Sequence, residues 1–131
     1  TRYTTVSWAR RCVQETDFMV VLEDEAAVAN NNPNFNSIKS MDSRGLIITA
    51  KGEEVDFVSR WYGPQTGINE DPATGSAHSL LATYWSKILN KPQMSARQLS
   101  KRVGHLKCEV KDDLVEITGQ AKLYLKGNIK V

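Results

Sequence analysis

The stretch Ala77-His78-Ser79-Leu80-Leu81-Ala82-Thr83-Tyr84-Trp85-Ser86-Lys87-Ile88 carries the strongest periodic signal in the chain. Ala77, Leu80, Leu81, Tyr84, Trp85 and Ile88 recur at helical spacing and form one apolar face. The other face, His78, Ser79, Ala82, Thr83, Ser86 and Lys87, is mostly small, so further backbone can pack closely around it. Asn90-Lys91-Pro92 ends the helix. On both sides the pattern changes to that of strands. Asp17–Leu22 reads as a strand bounded by Glu23-Asp24-Glu25, and Leu46–Ala50 as a short buried strand. After the Lys51–Glu54 turn, Val55, Phe57 and Trp61 alternate with Asp56 and Arg60 as an antiparallel return strand. Short helices fit between Ala26 and Met41, interrupted at Asn30-Asn31-Asn32-Pro33. Beyond Pro92, Leu106/Cys108/Val110, Val115/Ile117 and Ala121/Leu123/Leu125 suggest three strands of a meander, with a turn at Asp112-Asp113 and a break at Gly119. The expected fold is α+β: an antiparallel sheet curled around a central helix.

At 131 residues, the prior is one domain, residues 1–131, with enough chain for a core. Seventeen basic against fifteen acidic residues, a net charge of +2, do not imply nucleic acid or membrane. Apolar runs fall well short of the ~20 residues of a membrane span. Cys12 and Cys108 are too few and too far apart for a disulfide framework or a CxxC site, and Cys108 reads as a buried structural thiol. With no secretion signal and no glycosylation sequon, a reducing, cytoplasmic setting is expected. The chain begins at Thr1 rather than Met, which suggests a processed, trimmed or longer protein.

The chemistry concentrates in Gly67-Ile68-Asn69-Glu70-Asp71-Pro72-Ala73-Thr74-Gly75-Ser76-Ala77-His78. A helix start offers unpaired N–H groups and partial positive charge, and Gly75 allows close approach of a carboxylate or phosphate. Asp71 has two readings. From spacing it is an N-cap with Pro72 at the first helical position; alternatively its carboxylate meets substrate or takes part in proton transfer. Glu70 reads as a solvated loop residue, and His78 as packed or hydrogen-bonded. Two histidines and a distant cysteine argue against a metal site. Lys87, Lys91, Arg97, Lys101, Arg102 and Lys107 lie in a stretch free of acids between Pro72 and Cys108. That stretch is a solvated face or an anion-attracting rim; it lacks the interleaved aromatics of a nucleic-acid site.

Glu70-Asp71-Pro72-Ala73-Thr74-Gly75-Ser76-Ala77-His78, followed by Tyr84-Trp85, resembles the signature of the PhzF-like, phenazine-biosynthesis-like family. Arg44–Ala50, Asp56–Pro64 and Gln98-Leu99-Ser100-Lys101-Arg102 resemble it too, so the likeness runs from about Asp17 to the C-terminus. The resemblance implies the diaminopimelate-epimerase fold: two similar domains, each a sheet curled around a helix, with the active site between them. It makes this chain the C-terminal domain of a two-domain protein. The chemistry implied is isomerisation of a cyclic dihydro-hydroxyanthranilate by proton removal and return, without a cofactor or metal. Asp71 matches the family's site aspartate, and Thr74, Gly75 and Ser76 match the turn that holds the substrate's carboxylate. Arg102-Val103-Gly104 stands where Arg-Gly-Gly is common, which places Arg102 and Gly104 with the substrate-binding residues and puts valine at a glycine position. No cysteine adjoins the loop, so a two-thiol racemase mechanism is disfavoured. The family's proton-shuttling glutamate belongs to the N-terminal half, and nothing here matches it.

Three functions follow as expectations. One is an isomerase half acting on a small carboxylate-bearing substrate, inactive without the N-terminal domain. The second is a non-catalytic module that binds a small anion or a partner. The third is a single-domain homodimer that imitates the two-domain fold.

Overall fold

The computed structural model describes residues 4–10 and 17–129; Cys12 lies outside them. Among the described residues, eight strands form one open sheet: β1 (Thr4–Arg10), β2 (Phe18–Val21), β3 (Leu46–Lys51), β4 (Phe57–Gly63), β5 (Ile68–Glu70), β6 (Gln93–Gln98), β7 (Gly104–Lys111) and β8 (Leu114–Ala121). Their order is β1-β8-β7-β6-β4-β3-β2, with β5 paired to β4. The helices are α1 (Glu25–Ala29), α2 (Phe35–Lys39) and α3 (Gly75–Leu89). Each short helix starts at a capping side chain: Asp24 accepts from Ala27 N at 2.7 Å, and Asn34 from Ser37 N at 3.1 Å.

The α+β class holds. Most neighbouring strands are antiparallel, but β2 pairs with β3, and β4 with β6, in parallel. Parallel neighbours need a crossover, and α3 supplies it between β4 and β6. On the way to α3 the chain turns back along β4 through β5, so the candidate loop lies beside Trp61 of β4.

The curl of the sheet follows from what α3 buries. Ala77, Leu81, Ala82 and Trp85 pack with Ile47 and Phe57 from one half of the sheet, and with Met94, Leu106, Cys108 and Ile117 from the other. The phenyl ring of Phe57 stacks on Trp85 at 6.0 Å, and Trp85 Nε1 donates to Thr49 Oγ1 at 2.9 Å. Burial extends past the predicted apolar face to His78, Ser79 and Ala82, while Ile88 at its end is 58% exposed. The small residues do admit close packing. On the other side of β3 and β4 a second core joins Val28 of α1 and Ile38 of α2 to Ile48, Ala50, Val58 and Tyr62. The continuous apolar run Leu46–Ala50 is thus a strand covered on both faces.

The helix ends as expected, with Asn90 left-handed at φ 52° and Pro92 two residues on. Asp112, at φ 47°, turns β7 into β8. The C-terminal expectation is corrected. Strand β8 runs straight through Gly119, and residues 122–129 have no regular structure and lie exposed. Alternation at Leu123 and Leu125 does not make a strand where no neighbouring edge among the described residues takes up its hydrogen bonds. No helix among the described residues is long and apolar enough to cross a membrane.

Candidate functional site

Strand β4 leads through a 3₁₀ turn, Pro64–Thr66, and β5 into the loop before α3. The loop is tied to its own strand, because Asp71 N donates to Trp61 O at 3.3 Å. Glu70 is not solvated. Its carboxylate receives Arg60 Nε at 2.7 Å and Nη2 at 3.0 Å. Arg60 also donates to Asn31 O at 2.8 Å and lies 5.1 Å over the Tyr62 ring. Glu70 therefore anchors the loop to the segment after α1.

Asp71 is not the helix cap either. The N-cap is Thr74, with extended backbone and no side-chain cap bond, and α3 begins at Gly75. Sequence spacing favours Asp71-Pro72 as the start, but a buried side chain from another element decides otherwise. Gln98, at the end of β6, is fully buried. Its Oε1 accepts from Thr74 N at 2.8 Å, and its Nε2 donates to Asp71 O at 2.6 Å and to Thr74 Oγ1 at 3.1 Å. Thr74 Oγ1 in turn donates to Asp71 Oδ2 at 2.7 Å. The loop is held by these bonds instead of by a helical turn at Pro72.

Gly75 and Ser76 occupy the first two helical positions, whose N–H groups have no acceptor within the helix. Arg44 reaches the same turn and donates through Nη1 to Ser76 Oγ at 2.8 Å. It is braced by Asp17, whose side chain is 1% exposed: Nε donates to Oδ1 at 3.0 Å and Nη2 pairs with Oδ2. Trp61 Nε1 also donates to Asp17 Oδ2, at 3.1 Å, and the guanidinium sits 5.5 Å over the Trp61 ring. A Cβ on Gly45 would fall 2.6 Å from that indole, so only glycine lets Arg44 and Trp61 share this space. Sequence reasoning does not name Arg44, Asp17 or Gln98 as site residues. The only signal for them is their place inside stretches noted for family likeness.

Arg102 and Gly104 arrive from the β6–β7 connection. With Gly75, His105 and Gln120 they line a cleft of about 460 Å³. Asp71, Thr74 and Ser76 lie outside that lining; Thr74 is buried, its hydroxyl engaged by Asp71 and Gln98. Gly104 makes the close approach, since a Cβ there would lie 2.9 Å from Ala73 Cβ and 3.2 Å from Pro72 O. Ser100 Oγ lies 3.0 Å from Pro72 O and 2.8 Å from Arg102 O, stitching the two loops together. Val103 does not have a left-handed backbone, and its side chain is about half exposed at the cleft.

His78 is fully buried and Nδ1 is 2.8 Å from Thr74 O, so the neutral ring donates there. Burial lowers its pKa to about 4, against the weaker opposing effect of that hydrogen bond. This fits a packed histidine. Burial pushes the Cys108 thiol up to about 12, as expected of a structural cysteine. In the basic stretch, Lys91 pairs with Asp56, and Arg97 with Glu25 and Glu54, so these charges belong to the scaffold. Among the described residues no three His, Cys, Asp or Glu side chains are grouped to hold a metal ion.

Residues 4–127 match the family described as phenazine biosynthesis-like protein. A protein of Pseudomonas aeruginosa named as an uncharacterized isomerase is 46% identical over 113 residues, 86% of this chain and 44% of its own length. The crystal structure of a PhzF-family phenazine biosynthesis protein from Enterococcus faecalis superposes with a TM-score of 0.79 at 49% identity, covering 86% of this chain and 44% of that one. A putative phenazine biosynthesis PhzC/PhzF protein from Clostridium difficile gives 0.85 at 36% identity, over 97% of this chain and 58% of that one. The chain spans less than half the length of the Pseudomonas relative. By sequence and by fold, it belongs to the phenazine-biosynthesis-like (PhzC/PhzF) family.

Proposed function

We propose that this chain is the C-terminal domain of a two-domain isomerase that removes and returns a proton on a small carboxylate-bearing substrate. The observation that carries the reading is the Asp71 carboxylate, fixed by Thr74 beside the start of α3. In this reading the free N–H groups of Gly75 and Ser76 and the Ser76 hydroxyl hold the substrate's carboxylate. Because Arg44 donates to Ser76 Oγ, the Ser76 proton is left to point at a ligand. Arg102 and Gly104 share a cleft with Gly75 and bound the substrate on that side. Asp71 exchanges the proton: one C–H bond breaks, another forms elsewhere in the substrate, and no electrons leave it.

No residue here matches the glutamate that the resemblance implies, so turnover requires the N-terminal domain. General acid–base catalysis supplies roughly 10²–10⁴-fold, so one partner alone gives little. The test is solvent-deuterium exchange into dihydro-hydroxyanthranilate. The complete protein is expected to exchange and this chain alone is not. Asp71→Asn in the complete protein is expected to abolish exchange at a stability cost of about 1 kcal/mol, the scale of one hydrogen bond. Exchange that survives Asp71→Asn overturns the reading. Carboxylate binding without exchange in the complete protein would instead select a small-anion binding module, the reading favoured by Val103 at the cleft.

A further inference from the structure

We propose that Gln98 is a positioning residue for the Asp71 carboxylate, acting through the hydroxyl of Thr74. This rests on Asp71 as the proton-handling group, but its geometry can be tested separately. The orientation of the Gln98 amide is fixed by its partners. Thr74 N can only donate, so the atom 2.8 Å from it is the amide oxygen; Asp71 O can only accept, so the atom 2.6 Å from it is the amide nitrogen. The second amide proton then meets Thr74 Oγ1 at 3.1 Å. A hydroxyl that accepts from an amide must direct its own proton elsewhere, and the acceptor 2.7 Å away is Asp71 Oδ2.

The chain of donors therefore runs one way, from Gln98 through Thr74 to Asp71. It satisfies Oδ2 and sets the carboxylate's rotation, leaving Oδ1 without a hydrogen-bond donor among the described residues. Oδ1 is then the atom available to the substrate proton. Gln98 and Thr74 are buried, so water does not compete for these bonds, and the amide also clamps the backbone on both sides of Pro72-Ala73. A leucine at position 98 would fill comparable space but free the hydroxyl to turn.

The experiment follows the Thr74 hydroxyl proton and the Asp71 carboxylate carbon by NMR in wild type, Thr74→Val, Gln98→Leu and the double variant. The expected wild type shows a protected hydroxyl proton coupled to the Asp71 carboxylate. Thr74→Val is expected to move the carboxylate signal strongly in the wild-type background and little in the Gln98→Leu background. If Gln98→Leu does not fold, Gln98→Glu decides: once ionised, its carboxylate can only accept and draws the Thr74 hydroxyl proton away from Asp71 Oδ2, so the Asp71 signal should follow that titration. A hydroxyl proton equally protected and coupled to Asp71 with and without the amide overturns the proposal, as does an Asp71 signal blind to the Gln98→Glu titration. In the complete protein, kcat for dihydro-hydroxyanthranilate should fall about 100-fold in Gln98→Leu, with KM within about twofold, the scale of a misplaced catalytic group. Exchange that persists in Asp71→Asn would remove the proton-transfer reading while leaving the NMR result on Gln98 intact.

Discussion

His78 has its Nδ1 on Thr74 O and its Nε2 buried without a partner among the described residues, and burial holds its pKa near 4. An unfolded histidine titrates near 6.5, so between these values the unfolded chain binds a proton that the folded chain refuses. The stability from this residue is fully present above about pH 6.5 and declines as pH falls towards 4, by up to about 3 kcal/mol. His78→Gln should flatten the fall in urea midpoint across that window; an unchanged slope would assign the acid sensitivity to other groups. Asp71 shows the limit of local reading. Its place beside a helix start is legible in Glu70-Asp71-Pro72, but its partners are not. Gln98 lies 27 residues away in sequence, and Arg44, which sets Ser76, lies 32 residues from that serine. Spacing carries short-range geometry; it cannot weigh a cap against a buried amide brought in by a neighbouring strand. Glu70 reads as solvated for the same reason, because Arg60 reaches it across the β4–β5 pair.

Between elements, the β6–β7 connection presses on the loop before α3 at Gly104 and Ser100. Gly104→Ala would put a methyl group 2.9 Å from Ala73 Cβ and force the loop to shift. We expect a loss of about 1–3 kcal/mol, as for overpacking, with amide shifts concentrated at Thr74, Gly75 and Ser76. Shifts confined to β7 would show that the loop is not pushed. Helix α3 and strands β3, β4 and β7 are legible because their patterns report burial on one or both faces, whereas β2 is mostly exposed and is legible only as an apolar run, and the short helices only from the turn signal between them. Pairing direction is not. Val20 and Ile48 sit side by side in a parallel ladder, yet neither run carries a mark of which way its neighbour travels. Gly119 looks like a break, but β8 continues through it with open space where a Cβ would be.

For the molecule as a whole, the exposed segment 122–129 adds no packing to either core. Truncation after Ala121 should change stability by less than about 0.5 kcal/mol in chemical unfolding. A larger loss would mean that these residues cover apolar surface in solution. The two cores meet at β3 and β4, which present Ile47, Phe57 and Trp61 to α3 and Ile48, Val58 and Tyr62 to α1 and α2. That shared wall has a consequence for amide exchange. An opening that lifts α1 and α2 leaves β4 covered by α3, and loss of β1 or β2 from the sheet edges leaves it paired with β3 and β6. The interior amides of β4 therefore exchange only when both cores come apart together. The loop bearing Asp71 hangs from Trp61 O of that strand, so partial openings at the rim of the molecule leave its mooring in place.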